Sequence, residues 1–132
     1  MSGEGAFLFG GRWNPAGYHL VYAAEHLSLA VLEILVHIDD RKKLNDYVLV
    51  TLELPDPMDL AVNLGAGWQD DINETQRIGR DWLASEKNLV LRVPSVILTQ
   101  EKNLLINPKH PDMQNVETSS EDFVFDSRLW KT

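Results

Sequence analysis

A strand pattern passes directly into a helix pattern in the segment from Tyr18 to His37, YHLVYAAEHLSLAVLEILVH. The first part of this segment alternates in side-chain direction, so Leu20 and Tyr22 share one face of a predicted strand over residues 18–24. Ser28 is a favoured N-cap residue, and the spacing predicts a helix from there to about His37. A strand followed by a helix indicates a fold that combines both elements.

The predicted helix is apolar on nearly all sides, and this pattern indicates that it is buried. Glu33 lies in the middle of its apolar sequence. A carboxylate in such a place is costly unless it is paired or hydrogen-bonded, and such groups often belong to functional sites. Glu33 is therefore a candidate functional residue. A structural salt bridge with an arginine and a position at the sheet edge are the alternatives.

The rest of the chain adds a second helix and several short strands. The alternating segment Tyr47–Leu54 predicts a strand, and the amphipathic segment Thr75–Ser85 predicts a helix. Leu89–Val93 predicts a strand that Pro94 ends. Further short strands are predicted at residues 6–9, 96–98, 104–106 and 123–125. The fold class is therefore α+β, with a mixed or antiparallel sheet core and flanking helices in one domain, 1–132.

Charge and composition exclude several classes of protein. The net charge of −8 disfavours direct nucleic-acid binding, since such proteins neutralise phosphates with basic side chains. The absence of cysteine excludes disulfides and a thiol nucleophile, and it suits a reducing cytoplasm. No signal peptide and no apolar run of the roughly 18 residues needed to cross a membrane is present. We therefore expect a cytoplasmic protein without membrane contact.

Three further residues are candidates for a binding site. Arg12 follows two glycines and could hold a phosphate or carboxylate, or simply stack on Trp13. Tyr22 could stack on a flat ring or belong to the core. Ser95 lacks the sequence of a nucleophile elbow, so a hydrogen-bonding role is expected. The four histidines have no metal-ligand spacing, and no metal is expected. The phosphate-binding P-loop and the Rossmann glycine pattern are also absent.

Taken together, four blocks in order along the chain resemble the RES family of bacterial toxins. The blocks are Gly3–Ala6 with Gly10–Asn14 and Gly17, Val21–Ala23 with Ser28–His37, Val93–Ser95 with Asn103–Pro111, and Phe125–Leu129. The family is named after an arginine, a glutamate and a serine, and the matching positions here are Arg12, Glu33 and Ser95. The resemblance implies a fold similar to that of ADP-ribosyltransferases. It also implies a toxin that degrades NAD⁺ as its substrate, with no cofactor.

The resemblance also implies a role for each site residue. Glu33 would be the catalytic carboxylate that stabilises the ribose cation. Arg12 would bind a phosphate of NAD⁺, and Tyr22 would stack on the nicotinamide. Ser95 would hydrogen-bond to the ribose or support Glu33.

Partners and rival activities follow from the same resemblance. The expected partner is an antitoxin with an Xre-like helix-turn-helix domain, and a homo-oligomer or a toxin–antitoxin hetero-oligomer would both fit. Transfer of ADP-ribose to a protein and an inactive antitoxin-binding module are the alternatives. Relatives usually carry an additional N-terminal strand with an arginine that helps to hold NAD⁺, and this chain starts almost at the segment after it. The expected domain therefore lacks that strand.

Overall fold

The computed structural model describes residues 1–130, and its architecture is α+β as expected. The strands are β1 (Val21–Ala24), β2 (Val48–Glu53), β3 (Met58–Asp59), β4 (Val90–Pro94), β5 (Lys102–Ile106) and β6 (Glu117–Asp122). The α-helices are α1 (Glu4–Phe9), α2 (Leu27–His37) and α3 (Ile72–Ser85). Short 3-10 helices occur at Arg41–Asp46, Trp68–Asp70, Pro111–Asn115 and Ser127–Trp130.

Four strands form one sheet in the order β1-β5-β4-β3, and of the mixed or antiparallel sheet that was expected the structure has the mixed one. Strand β5 pairs antiparallel with both of its neighbours, whereas β3 runs parallel to β4. Strands β2 and β6 form a separate antiparallel ribbon. The central position of β5 matters for the site, because its side chains lie beside those of β1 and β4.

Helix α3 covers one face of the four-stranded sheet. Its residues Ile78, Trp82 and Leu83 are buried in one cluster with Leu91 and Leu105 of the sheet. Their spacing in the amphipathic segment places all three on one face of the helix, and that face is buried. Burial of this apolar surface is the main stabilising contribution at this layer.

The predicted strand at 6–9 is wrong, because this segment is helical. Helix α1 is closed by backbone bonds from Phe7 to the Gly3 carbonyl and from Gly10 to the Ala6 carbonyl. Gly3 and Gly10 both have a positive φ, so glycines start and end the helix. Four apolar residues in a row do not by themselves distinguish a strand from a short helix.

Helix α2 exists as predicted, but its start and its burial differ from the expectation. The N-cap position belongs to His26, whose side chain makes no capping bond, and Ser28 is inside the helix. Only Leu29 is buried, whereas Leu32 and Val36 are exposed. The helix packs on β1, and its other side lines an open cleft.

Within residues 1–130, no helix has both the length and the apolar character needed to span a bilayer.

The remaining strand predictions are partly correct. Strands at 47–54, 89–93 and 104–106 are confirmed as β2, β4 and β5, with ends shifted by at most two residues. The first strand is shorter than predicted, since β1 begins at Val21. Residues 96–98 and 123–125 are not strands. Strand β6 was missed because all of its side chains are exposed, so no apolar alternation marks it.

Candidate functional site

Arg12 lies at the tip of a tight turn. Gly11 and Asn14 bridge the turn, with the Gly11 nitrogen 2.9 Å from the Asn14 carbonyl oxygen. The two tip residues are Arg12 and Trp13, and Trp13 is buried while Arg12 is half-buried. The buried Trp13 side chain therefore anchors the turn, and the Arg12 side chain extends from this anchored backbone.

Helix α3 holds this turn through three adjacent contacts. The Thr75 hydroxyl donates to the Arg12 carbonyl oxygen at 2.6 Å, and the Gln76 amide donates to the Gly11 carbonyl oxygen at 2.9 Å. Gly79 lies directly against the Trp13 carbonyl group. Because Thr75 is fully buried, these contacts are shielded from water. The backbone of the turn thus has a defined position on the helix.

The Arg12 side chain makes a hydrogen bond through one guanidinium nitrogen, and its other N–H donors have no partner among the described residues. Its Nη1 donates to the Gln69 carbonyl oxygen at 2.6 Å. Among the described residues no carboxylate forms a salt bridge with Arg12. A guanidinium has five N–H donors, so the positive charge and several donors remain for an anionic ligand.

Tyr22 presents its ring to the cleft and buries its hydroxyl group. The hydroxyl accepts a hydrogen bond from the Trp13 backbone nitrogen at 3.0 Å and donates to Asn14 Oδ1 at 2.6 Å. The residue as a whole is 40% exposed, which leaves the ring accessible. Burial of the hydroxyl raises the pKa of Tyr22 to about 12, against the opposing effects of the Trp13 N–H and the Arg12 charge.

Glu33 is held through only one of its carboxylate oxygens. Oε1 accepts hydrogen bonds from the Ser95 hydroxyl at 3.0 Å and from Asn103 Nδ2 at 2.8 Å. Within residues 1–130, Oε2 accepts no side-chain hydrogen bond and no arginine or lysine forms a salt bridge with Glu33. The structural ion pair considered above is therefore not found in this part of the chain. One oxygen fixes the side chain, and the other is free for a ligand.

Ser95 can orient its proton in only one direction. Its buried hydroxyl oxygen accepts hydrogen bonds from the backbone nitrogens of Ile97 and Leu98, at 3.1 and 3.2 Å. Since a hydroxyl has one proton and two acceptor sites, both acceptor sites are used and the proton points to Glu33. Of the two roles considered for Ser95, these bonds favour support of Glu33 over contact with a substrate.

Sheet register explains why these groups meet. Asn103 of β5 pairs with Ala24 on one side and with Val93 on the other. Paired residues of antiparallel strands point to the same face, and residues two apart along a strand do as well. Tyr22 precedes Ala24 by two residues, so it shares this face with Asn103. Ser95 follows Val93 by two residues and comes next to Asn103 at the same end of the sheet.

Three of the four predicted site residues line one large cleft. The cleft has a volume of about 1350 Å³ and includes Arg12, Tyr22, Glu33 and Asn103 in its lining. Ser95 does not line it and is fully buried behind Glu33. The sequence reasoning does not identify Asn103 as a site residue, although an amide directly before the apolar residues Leu104–Ile106 of a strand is a signal that could indicate it.

No metal centre is apparent in the part of the chain that the structure describes. Within residues 1–130, no three His, Cys, Asp or Glu side chains are grouped so that they could hold a metal ion. The absence of a metal and the absence of a cofactor both stay predictions.

Sequence comparison assigns this chain to a family. The family model described as the RES domain matches residues 1–126. A "Toxin Res" of Yersinia enterocolitica serotype O:8 / biotype 1B is 40% identical, with 97% of this chain and 89% of the relative covered. This chain belongs to the RES domain family.

Two further relatives extend this similarity. A "Prs ADP-ribosylating toxin" of Sphingobium sp. is 40% identical over 98% of this chain and 86% of its own length. A "Toxin Res" of Pseudomonas putida is 39% identical, with 98% and 92% covered. The relatives are thus matched over most of their own length as well as over nearly all of this chain.

Proposed function

We propose that this RES-family protein is a toxin that cleaves NAD⁺ between nicotinamide and ribose. The observation that carries the proposal is the state of Glu33. One carboxylate oxygen is fixed by Ser95 and Asn103, the other accepts no hydrogen bond from the described residues, and Glu33 lines the cleft. A fixed negative charge of this kind suits a reaction that develops positive charge on its substrate.

The proposed reaction uses water as the second substrate. The bond between the nicotinamide nitrogen and the ribose C1′ breaks, nicotinamide takes the bonding electron pair, and the ribose becomes an oxocarbenium-like cation. Glu33 stabilises this cation through charge. Water then forms a bond to C1′ and releases a proton, so the products are ADP-ribose, nicotinamide and a proton. No metal is needed in this scheme, because the carboxylate supplies the electrostatic stabilisation.

The other cleft residues bind and orient the substrate. Arg12, which has unused donors beside its bond to the Gln69 carbonyl, binds a phosphate of NAD⁺. The exposed ring of Tyr22 stacks on the nicotinamide and restrains it. Ser95 does not contact the substrate in this scheme and acts indirectly, because its hydrogen bond holds the Glu33 side chain in position. All of these roles require that the four-stranded sheet and the Arg12 turn keep their relative positions.

Expression of the toxin would require a protein inhibitor in the same cell. We propose an Xre-like helix-turn-helix antitoxin that covers the cleft, in a hetero-oligomer with this chain. The relatives named as toxins support this reading. The net charge of −8 favours a partner with a basic contact surface.

Incubation of the purified chain with NAD⁺ tests the proposal directly. We expect release of nicotinamide and ADP-ribose in equal amounts, measured by chromatography, at a rate that EDTA does not change. Growth arrest with falling cellular NAD⁺ is expected when the chain is produced without its antitoxin. If NAD⁺ stays intact at high enzyme concentration in both settings, the proposal is wrong. If EDTA abolishes turnover, the metal-free mechanism is wrong.

Transfer of ADP-ribose to a protein is a second candidate, because one relative at 40% identity is named an ADP-ribosylating toxin. The same cleft would serve, with a side chain of the target in place of water. Mass spectrometry of a bacterial extract incubated with the chain and NAD⁺ distinguishes the two reactions. Nicotinamide release that depends on the extract, with a mass increase on a protein, supports transfer. Release with NAD⁺ alone supports hydrolysis.

Arg12→Lys is expected to weaken NAD⁺ binding by about ten- to a hundredfold. Lysine keeps the charge but cannot bond the Gln69 carbonyl and grip a phosphate with a planar two-point contact at once. Calorimetry with NAD⁺ measures the change. The matched control is Arg80→Lys on the exposed part of α3, where we expect no effect. Equal binding by the wild type and Arg12→Lys would remove Arg12 from the site.

A further inference from the structure

We propose that Asn14 is a positioning residue that accepts the hydrogen bond of the Tyr22 hydroxyl group. Tyr22 then contributes to the site through its ring, and its hydroxyl proton is not available to the substrate. The inference rests on the proposed function in one respect, namely that the exposed ring is a wall of the NAD⁺ site. It adds a residue, Asn14, and it decides between two chemical roles for Tyr22.

The Asn14 side chain can adopt only one amide orientation. The residue is fully buried, and its Nδ2 donates to the carbonyl oxygens of Ala6, Pro15 and Tyr18, at 2.9, 3.0 and 3.2 Å. A flipped amide would place its oxygen against three carbonyl oxygens. Oδ1 must therefore face Tyr22, and it can only accept.

The direction of the Tyr22 hydroxyl proton follows from that orientation. The hydroxyl donates to Asn14 Oδ1 at 2.6 Å and accepts from the Trp13 backbone N–H at 3.0 Å. Its proton is thus used inside the protein. The raised pKa of about 12 agrees with a buried phenol that stays neutral at physiological pH. A general acid or base in this position would need a proton that is free to move to the substrate.

Gly11 provides the space for this arrangement. A Cβ at this position would lie 2.6 Å from the Tyr22 hydroxyl oxygen and 3.1 Å from Asn14 Oδ1. Gly11 does not have a positive φ, so alanine would suit its backbone, and contacts with the side chains of Tyr22 and Asn14 decide the outcome. The contact with the Tyr22 hydroxyl oxygen is the shortest of them. Alanine at Gly11 should therefore push the ring away, and removal of the hydroxyl should relieve most of the clash.

The test compares Tyr22→Phe, Gly11→Ala and the double variant in NAD⁺ turnover. Tyr22→Phe keeps the ring, so we expect kcat within about threefold of the wild type and KM raised by about tenfold. Gly11→Ala is expected to raise KM further, and the double variant should recover most of the way toward the value of Tyr22→Phe alone, because removal of the hydroxyl relieves the shortest contact. Gly5→Ala is the matched control, since a Cβ there meets nothing within 4 Å.

Two outcomes would overturn the inference. A fall in kcat of about a hundredfold or more in Tyr22→Phe, with KM unchanged, would show that the hydroxyl takes part in the chemistry. A double variant no better than Gly11→Ala alone would show that Gly11 does not serve the position of the Tyr22 hydroxyl.

A second readout does not depend on turnover of NAD⁺, so failure of the proposed function is distinguishable from failure of this inference. The chain has three tyrosines, and ultraviolet titration should show one that ionises near pH 12 and is lost in Tyr22→Phe. We expect Asn14→Ala, if it folds, and Gly11→Ala to move that titration toward the ordinary value of 10.0, because both changes open the hydroxyl to water and burial is the main cause of the raised pKa. If the pKa of Tyr22 is unchanged in both folded variants, the proposed role of Asn14 is wrong.

Discussion

Glu33→Gln is expected to abolish NAD⁺ cleavage while the protein stays folded. The amide oxygen can still accept the hydrogen bonds from Ser95 and Asn103 that Oε1 accepts now. No cation of residues 1–130 forms a salt bridge with Glu33, so the variant leaves no buried partner charge unpaired. Loss of the negative charge near the ribose cation should nevertheless reduce kcat by about a thousandfold or more.

Three measurements separate catalysis from stability for this variant. The midpoint of thermal unfolding should be unchanged or raised, NAD⁺ binding should be roughly retained in calorimetry, and nicotinamide release should be nearly absent. Glu53→Gln on the exposed face of the β2–β6 ribbon is the matched control and should leave all three unchanged. An unfolded Glu33→Gln, or one with wild-type turnover, would refute the role of Glu33 as the catalytic carboxylate.

Gly79→Ala is expected to be destabilising, although glycine to alanine in the interior of a helix usually stabilises by about 1 kcal/mol. Gly79 lies in the middle of α3, and a Cβ there would overlap the backbone carbonyl of Trp13. The turn that bears Arg12 would have to move off the helix. Overpacking of this kind costs about 1–3 kcal/mol. The hydrogen bonds from Thr75 and Gln76 to the turn would be strained as well.

Chemical denaturation and NAD⁺ binding check this expectation together. We expect Gly79→Ala to unfold at a lower denaturant concentration than the wild type and to bind NAD⁺ more weakly. Gly5→Ala in α1 is the control, because the added methyl group meets nothing and stability should be equal or slightly higher. A Gly79→Ala variant as stable as the wild type, with unchanged NAD⁺ affinity, would show that the contact between α3 and the turn does not position the site.

Several elements could be predicted from local pattern, and others could not. Helix α3 and strands β2, β4 and β5 follow from amphipathic or apolar sequences whose period matches the structure. Helix α1 and strand β6 were missed for opposite reasons. The α1 segment is apolar but too short for its period to be read, and the β6 segment is polar because both of its faces are exposed.

The burial of α2 shows the limit of composition as a guide. Its apolar sequence predicts burial, yet Leu32 and Val36 are exposed, and the main packing partner of α2 among the described elements is β1. The hydrophobicity of a segment indicates that its burial would be favourable, whereas its actual exposure depends on which elements pack on it.

Residue types made Arg12, Tyr22 and Glu33 candidates with structural alternatives, and the ordered blocks that resemble the RES family favoured their functional roles. Their partners were decided only by the tertiary structure. The register of β5 between β1 and β4 places Asn103 against Glu33, and the backbone nitrogens after Ser95 turn its proton toward the same carboxylate. Hydrogen bonds of this kind join residues 60 to 70 positions apart. Local sequence specifies the groups that can form such bonds, whereas strand pairing and helix packing determine which of them meet.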